Sequence, residues 1–168
     1  ANMRAAHVTG IDPYPDAPET EEAMHRYLHS VGVADRFTHH ATLEALPASA
    51  TFDLIHVDGA HDEESARTDL AAAARRLRPG GVLIVDDYRN FKYPGVASAL
   101  HEAYRVHDLR PFLLSEGKAY VAHSADAREL RATVRDLLAS ATWVDLFDDT
   151  LDTAVHVLAY AEPADVLW

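Results

Sequence analysis

A chain of 168 residues, 48% of them hydrophobic, can fill one core, and it holds no apolar run near the ~18 residues that cross a bilayer. The absence of cysteine excludes disulfides and thiolate metal sites, and with no charged-then-apolar leader the expectation is a single domain, 1–168, in the cytoplasm and off the membrane. A formal charge of −12, from 15 Lys+Arg against 27 Asp+Glu, repels a phosphate backbone. Nucleic acid is therefore excluded as a partner in favour of a metal ion, a cationic cofactor or a neutral small molecule.

Residues 7–12 read as a strand ending on Asp12. Residues 19–31 follow as a helix, with Ala23, Met24, Tyr27, Leu28 and Val31 at helical spacing and Pro18 just ahead, where a helix tolerates proline. Residues 36–40 are a short strand candidate. Residues 52–58 are apolar on both faces, as a buried parallel strand should be, and end on Asp58. Residues 62–77 form a helix whose Ala66, Leu70, Ala73, Ala74 and Leu77 make one stripe. Its acids Asp62, Glu63 and Glu64 suit the positive end of the helix dipole, and Arg75, Arg76 and Arg78 close it before Pro79-Gly80-Gly81. Residues 82–86 are the fourth strand, and Pro94-Gly95 leads into a helix at 96–105.

The alternation then stops. Residues 109–114 and 118–123, joined by Ser115-Glu116-Gly117, read as an antiparallel hairpin, and a helix follows at 126–139. Within the tail from 143 to 160, the alternation of Val155, Val157 and Ala159 with His156, Leu158 and Tyr160 favours a strand. The order implies an α/β fold: a doubly wound, mostly parallel Rossmann-like sheet ending in an antiparallel hairpin, with 126–168 as a C-terminal extension.

Three of these strands stop on an aspartate. Ligands of such sheets bind outside the carboxyl ends of the strands, and carboxylates gathered there repel one another unless a cation or a hydroxyl-rich ligand compensates them. In Asp58-Gly59-Ala60-His61, glycine permits a sharp turn that brings His61 to the same crevice. Asp86 and Asp87 can share a ligand only if the chain bends at Asp87, because adjacent strand residues face opposite ways. Asp58, Asp86 and Asp87 together suit a hard divalent ion, Mg²⁺ ahead of zinc because every ligand is oxygen. Asp12 sits where nucleotide-binding folds place an acceptor for ribose hydroxyls, and Thr42 stands where it would border an adenine. Each feature also has a plain structural reading, as a turn residue, a solvated helix end or an acidic loop. For His39-His40 that reading holds, since consecutive strand residues diverge. Trp143 and Trp168 read as core or interface residues.

Taken together, residues 8–12, 52–61 (FDLIHVDGAH), 76–81 (RLRPGG), 85–88 (VDDY) and 94–96 (PGV) resemble the class I S-adenosylmethionine-dependent methyltransferases. The nearest likeness is to the metal-dependent small-molecule O-methyltransferases that include the macrolide-sugar enzymes. It runs over residues 8–106. The resemblance implies that Asp12 binds the cofactor ribose, that Asp58, Asp86 and Asp87 hold Mg²⁺, and that His61 is the general base that deprotonates a small-molecule hydroxyl, on a natural-product sugar or a phenol. An imidazole suits proton transfer at neutral pH.

The sequence departs from that pattern in one place. The family's first strand and its glycine-rich loop have no counterpart, and residues 1–6 read as the end of the helix that follows that loop. The sheet is then expected to carry an unpaired edge, with the chain oligomeric or completed by another segment. A homo-oligomer through the acidic tail, with Trp143, Phe147 and Trp168, is the expectation for assembly. Two other functions compete: a methyltransferase-like scaffold that has lost its cofactor, motivated by the missing loop, and a nicotinamide-dependent oxidoreductase, which also uses an acid after its second strand. The acids at 86 and 87 speak against the latter. The identity of the acceptor is not encoded in any legible motif.

Overall fold

The computed structural model describes residues 6–12, 18–141, 144–148 and 154–159, and Pro13, Trp143 and Trp168 lie outside them. The chain divides into two compact units, Ala1–Ala50 and Thr51–Trp168, where the sequence reads as one domain.

In the first unit, strand β1 (Val8–Ile11) pairs in parallel with β2 (Phe37–His40), the two connected through helix α1 (Pro18–Ser30). Parallel strands need such a crossover. Gly32, at φ +72°, ends α1: its N–H donates to His29 O, and the Val33 N–H reaches back to Leu28 O. This double bond pattern around a left-handed residue satisfies carbonyls that the last helical turn leaves open. Gly10 admits no side chain, because a Cβ there would stand 2.7 Å from the Phe37 ring.

The second unit is a six-stranded sheet in the order β3-β4-β6-β5-β8-β7. Strand β3 (Phe52–Val57) runs parallel to β4 (Leu77–Val85), and helix α2 (Glu63–Arg76) joins them. After helix α3 (Pro94–Val106), the chain forms the hairpin of β5 (Leu109–Leu114) and β6 (Ala119–His123). The hairpin inserts β6 between β4 and β5, antiparallel to both, so the sheet is mixed. Helix α4 (Ser124–Leu138) precedes the tail, which holds two strands, β7 (Val144–Asp148) and β8 (Val155–Ala159), paired antiparallel to each other. Strand β8 adds in parallel to β5.

Strand alternation sends side chains to two faces. Leu83, Val85, Ala119 and Val121 pack with Leu70, Ala73, Ala99 and Leu100 of α2 and α3. Val82, Tyr120 and Ala122 point the other way, onto Ala127, Leu130 and Val134 of α4. Helices therefore cover both faces, as a doubly wound α/β fold requires. Leu100 is 0% exposed in the larger core, so Leu100→Ala is expected to lower unfolding free energy by about 2–5 kcal/mol in urea titration. A loss under ~1 kcal/mol would mean that this core closes without it.

Strand β4 differs from expectation at its start. Pro79-Gly80-Gly81 reads as a terminator, yet the strand already begins at Leu77. Its register against β3 jumps from Phe52↔Leu77 to Leu54↔Val82. The extra residues bulge out around Gly80, at φ +76°, and proline costs the ladder no donor where the pairing is already broken. Among the described residues β3 pairs along one edge only, and its Leu54 is 60% exposed.

Candidate functional site

The register of β3 and β4 builds the site. Val57 lies opposite Val85, and the Asp86 N–H donates to Val57 O at 3.0 Å, so both strands end together. Asp58 and Asp86 are thereby neighbours at the carboxyl edge of the sheet. His56 shares a face with Asp58 by strand alternation, and its Nε2 lies 3.5 Å from Asp86 Oδ2. One potential ligand group follows: His56, Asp58 and Asp86 each offer an atom within 4.8 Å of the others.

The chain bends at Asp87, as a shared acidic site demands, through a left-handed φ of +54°. A turn holds it there: the Asp87 N–H donates to Asp86 Oδ1 at 2.9 Å, and Asn90 Nδ2 donates to Asp87 Oδ1 at 2.7 Å. The bend carries the Asp87 carboxylate toward His61, whose Nε2 stands 2.7 Å from Asp87 Oδ2. A second potential group results, of Asp58, His61 and Asp87, again within 4.8 Å. Asp86 and Asp87 therefore fall into separate groups, with Asp58 common to both.

Two contacts and a neighbouring helix cap place His61. Its ring stacks on Tyr93, with centroids 3.9 Å apart and planes 14° from parallel. Gly95, in the first turn of α3, lets that helix approach: a Cβ there would stand 2.7 Å from Glu63 N and 3.1 Å from His61 O. Asp62 caps α2 by accepting the Ser65 N–H at 2.9 Å, a bond that lowers its carboxyl below the usual range. His61 thus sits one residue ahead of a capped helix.

The His61–Asp87 approach is close, but the Nε2 atom is buried and has no aligned hydrogen bond. A buried ring nitrogen that faces a carboxylate oxygen without such a bond is an unsatisfied polar atom beside an acid, an arrangement that a cation held on Asp58 and Asp87 would relieve. The donors are oxygens and one imidazole nitrogen, which suits a hard divalent ion that keeps several waters. On that observation the residues fit Mg²⁺.

A resident cation also lies in the site. Strand β6 pairs with β4 at Val85↔Ala119, which sets Lys118 opposite Asp86, and its ammonium is ion-paired with Asp86 Oδ2. Partial burial pushes the Asp86 carboxyl up, but Lys118, the Asp87 N–H and His56 outweigh it and hold the carboxyl below its usual range.

Behind the loop, Gly59 faces Asp69 of α2, whose Oδ2 is 2.6 Å from where a Cβ would stand. Burial, with the nearby Asp62 charge, raises the Asp69 carboxyl. A raised carboxyl favours the protonated form, so its stabilising share is present below 3.8, the ordinary value, and is lost as pH rises through the raised one. Asp69→Asn, neutral at every pH, is expected to raise Tm at pH 7 by about 2 °C and to match the parent near pH 3. A lower Tm at pH 7 would reveal a role for the charge.

Asp12 and Thr42 belong to the first unit, at the carboxyl edge of β1 and β2. The Asp12 N–H donates to His40 O at 3.1 Å, and its carbonyl oxygen bonds His39 Nε2 at 2.7 Å, while His39 Nδ1 lies 3.0 Å from Glu21 Oε1. His39 is thus a backbone clamp behind Asp12. Three contacts of the second unit escape sequence reasoning: those of His56 and Lys118 with Asp86, and the stacking of Tyr93, whose segment 89–93 reads only as a substrate-pocket loop, on His61. Only His56 carries a signal, being two residues before Asp58 on one strand.

Residues 1–88 match a family model described as a methyltransferase domain, and the chain belongs to that family. No curated protein matches it. Among solved structures, it is similar to the apo form of CalS11, a TDP-rhamnose 3'-O-methyltransferase of calicheamicin biosynthesis, with TM-score 0.54 and 18% identity over 68% of this chain and 57% of that one. A second is an O-methyltransferase from Klebsiella pneumoniae, with TM-score 0.51 and 19% identity over 68% of this chain and 59% of that one. At such identities the likeness is one of fold. The chain spans less than two thirds of the length of either structure.

Proposed function

We propose that this chain takes part in S-adenosylmethionine-dependent, Mg²⁺-assisted O-methylation of a small molecule, acting on a hydroxyl of a natural-product sugar or a phenol. Family membership supports methyl transfer, and the convergence of Asp58, His61 and Asp87 within 4.8 Å is the observation that carries the rest. In this reading Asp58, Asp86 and Asp87 provide the acidic ligands for Mg²⁺. Asp12, exposed at the end of β1, accepts ribose hydroxyls, and Thr42 borders the adenine. When bound, the cofactor supplies an electrophilic methyl on sulfur, and Mg²⁺ lowers the pKa of the acceptor hydroxyl.

The chain's own residues do the remaining work. His61 Nε2 takes the hydroxyl proton. Tyr93 holds the imidazole plane by stacking, and the Asp87 carboxylate compensates the imidazolium that forms. The exposed Leu54 on the one-sided strand β3 fits a protein that works as a homo-oligomer, and the cysteine-free composition fits the cytoplasm.

The test is transfer of a labelled methyl from S-adenosylmethionine to a panel of sugars and phenols, with Mg²⁺ and with EDTA. Labelled product in Mg²⁺ that disappears in EDTA is expected. Transfer undiminished by EDTA would remove the metal from the reaction, and failure to bind the cofactor would leave a scaffold.

A further inference from the structure

The Asp86 carboxylate already has a cation, and that cation belongs to the chain. Lys118 immediately precedes β6, which runs antiparallel to β4 with Val85 opposite Ala119, so the residue before β6 is brought beside Asp86, the residue after β4. Opposite charges at facing positions attract, and here the ammonium is bonded to Asp86 Oδ2, the same oxygen that lies 3.5 Å from His56 Nε2. Asp87, turned away by its left-handed backbone, faces His61, and among the described residues no lysine pairs with it. The two halves of the acidic site thus differ: one is internally neutralised and the other is not.

We propose that Lys118 competes with the divalent cation for Asp86, and so sets how tightly the site holds metal. The inference rests on the metal reading above and deepens it. An ammonium bonded to a carboxylate oxygen blocks that oxygen from coordinating an ion, and its charge repels a second cation a few ångströms away. With Lys118 in place, Asp86 is the weakest of the three acidic ligands, and Asp58 and Asp87 carry most of the binding. Removing the ammonium releases Asp86 as a ligand and deletes the repulsion. The lysine is a positioning residue: it touches no reacting atom, and it keeps the ion weakly held and displaced toward His61.

The test is a double-mutant cycle read by calorimetric titration of Mg²⁺, with Mn²⁺ paramagnetic resonance as a second measure of ion binding, on the protein without substrate. Lys118→Met is expected to bind Mg²⁺ about tenfold more tightly than the parent. Asp86→Asn alone, which leaves the ammonium unneutralised, is expected to weaken binding by about threefold or more, while Asp86→Asn in the Lys118→Met background returns the affinity close to the parent's value. If the parent binds Mg²⁺ and Lys118→Met binds it equally or more weakly, competition is overturned and the metal reading stands. If none of the proteins binds Mg²⁺ or Mn²⁺, both fail together. Binding seen only in Lys118→Met supports the competition. Lys118 is half-buried at the hairpin, and thermal unfolding of each variant confirms that the affinities compare folded proteins.

Discussion

His61→Ala is expected to lower turnover by about 10²–10⁴-fold while leaving affinity for S-adenosylhomocysteine within about threefold of the parent. The size follows from losing a positioned proton acceptor, and the selectivity follows from role: His61, stacked on Tyr93, acts on the acceptor hydroxyl, whereas Asp12 and Thr42 are the proposed cofactor contacts. The same nitrogen is also part of the Asp58, His61 and Asp87 group, so Mg²⁺ affinity is measured alongside. A large fall in turnover with Mg²⁺ affinity retained assigns His61 to proton transfer. An equal fall in both makes it chiefly a metal ligand. Unchanged turnover removes it from the reaction altogether.

Asp58→Asn carries the second large effect: a loss of Mg²⁺ affinity of about 100-fold or more, with matching loss of metal-dependent turnover. Asp58 is the one acid common to both potential ligand groups, so no rearrangement between them compensates for it. The amide keeps the volume and one oxygen but removes the charge on which binding of a hard cation depends. Since Asp58 is exposed at the strand end, folding has little need of its charge, and Tm is expected to stay within about 2 °C of the parent. Tm should in fact hold or rise if like charges at this edge strain the apo protein. Mg²⁺ affinity equal to the parent's would show that the ion, if bound, sits elsewhere.

The meeting of Asp58 with Asp86 is legible in the sequence. The apolar runs ending on Asp58 and Asp86 placed both acids at one edge, because parallel strands joined by a helix present their carboxyl ends together. The glycine at 59 and the need for a bend at Asp87 were likewise readable from local geometry. Long-range register was not. Lys118 meets Asp86 only because β6 inserts beside β4, and nothing in residues 115–118 announces that neighbour. Tyr93 reaches His61 through the approach of α3 to α2, which Gly95 permits but does not specify.

Two stretches of the fold were harder to read for a different reason. Pro79-Gly80-Gly81 has the chemistry of a terminator, yet the strand runs through it because a bulge absorbs the unpaired residues. In the tail, Val144–Asp148 shows no clean alternation of apolar and polar residues, and its pairing with Val155–Ala159 is a tertiary outcome. The partition of Asp86 and Asp87 between His56 and His61 is also tertiary, since it depends on the left-handed turn at Asp87.

The most direct test is a crystal structure of the protein soaked with Mg²⁺ and S-adenosylhomocysteine. The expected result is an octahedral ion at about 2.0–2.1 Å from carboxylate oxygens of Asp58 and Asp87, its remaining positions filled largely by water, and the cofactor ribose on Asp12. Full cofactor occupancy with no ion at Asp58 would contradict the account.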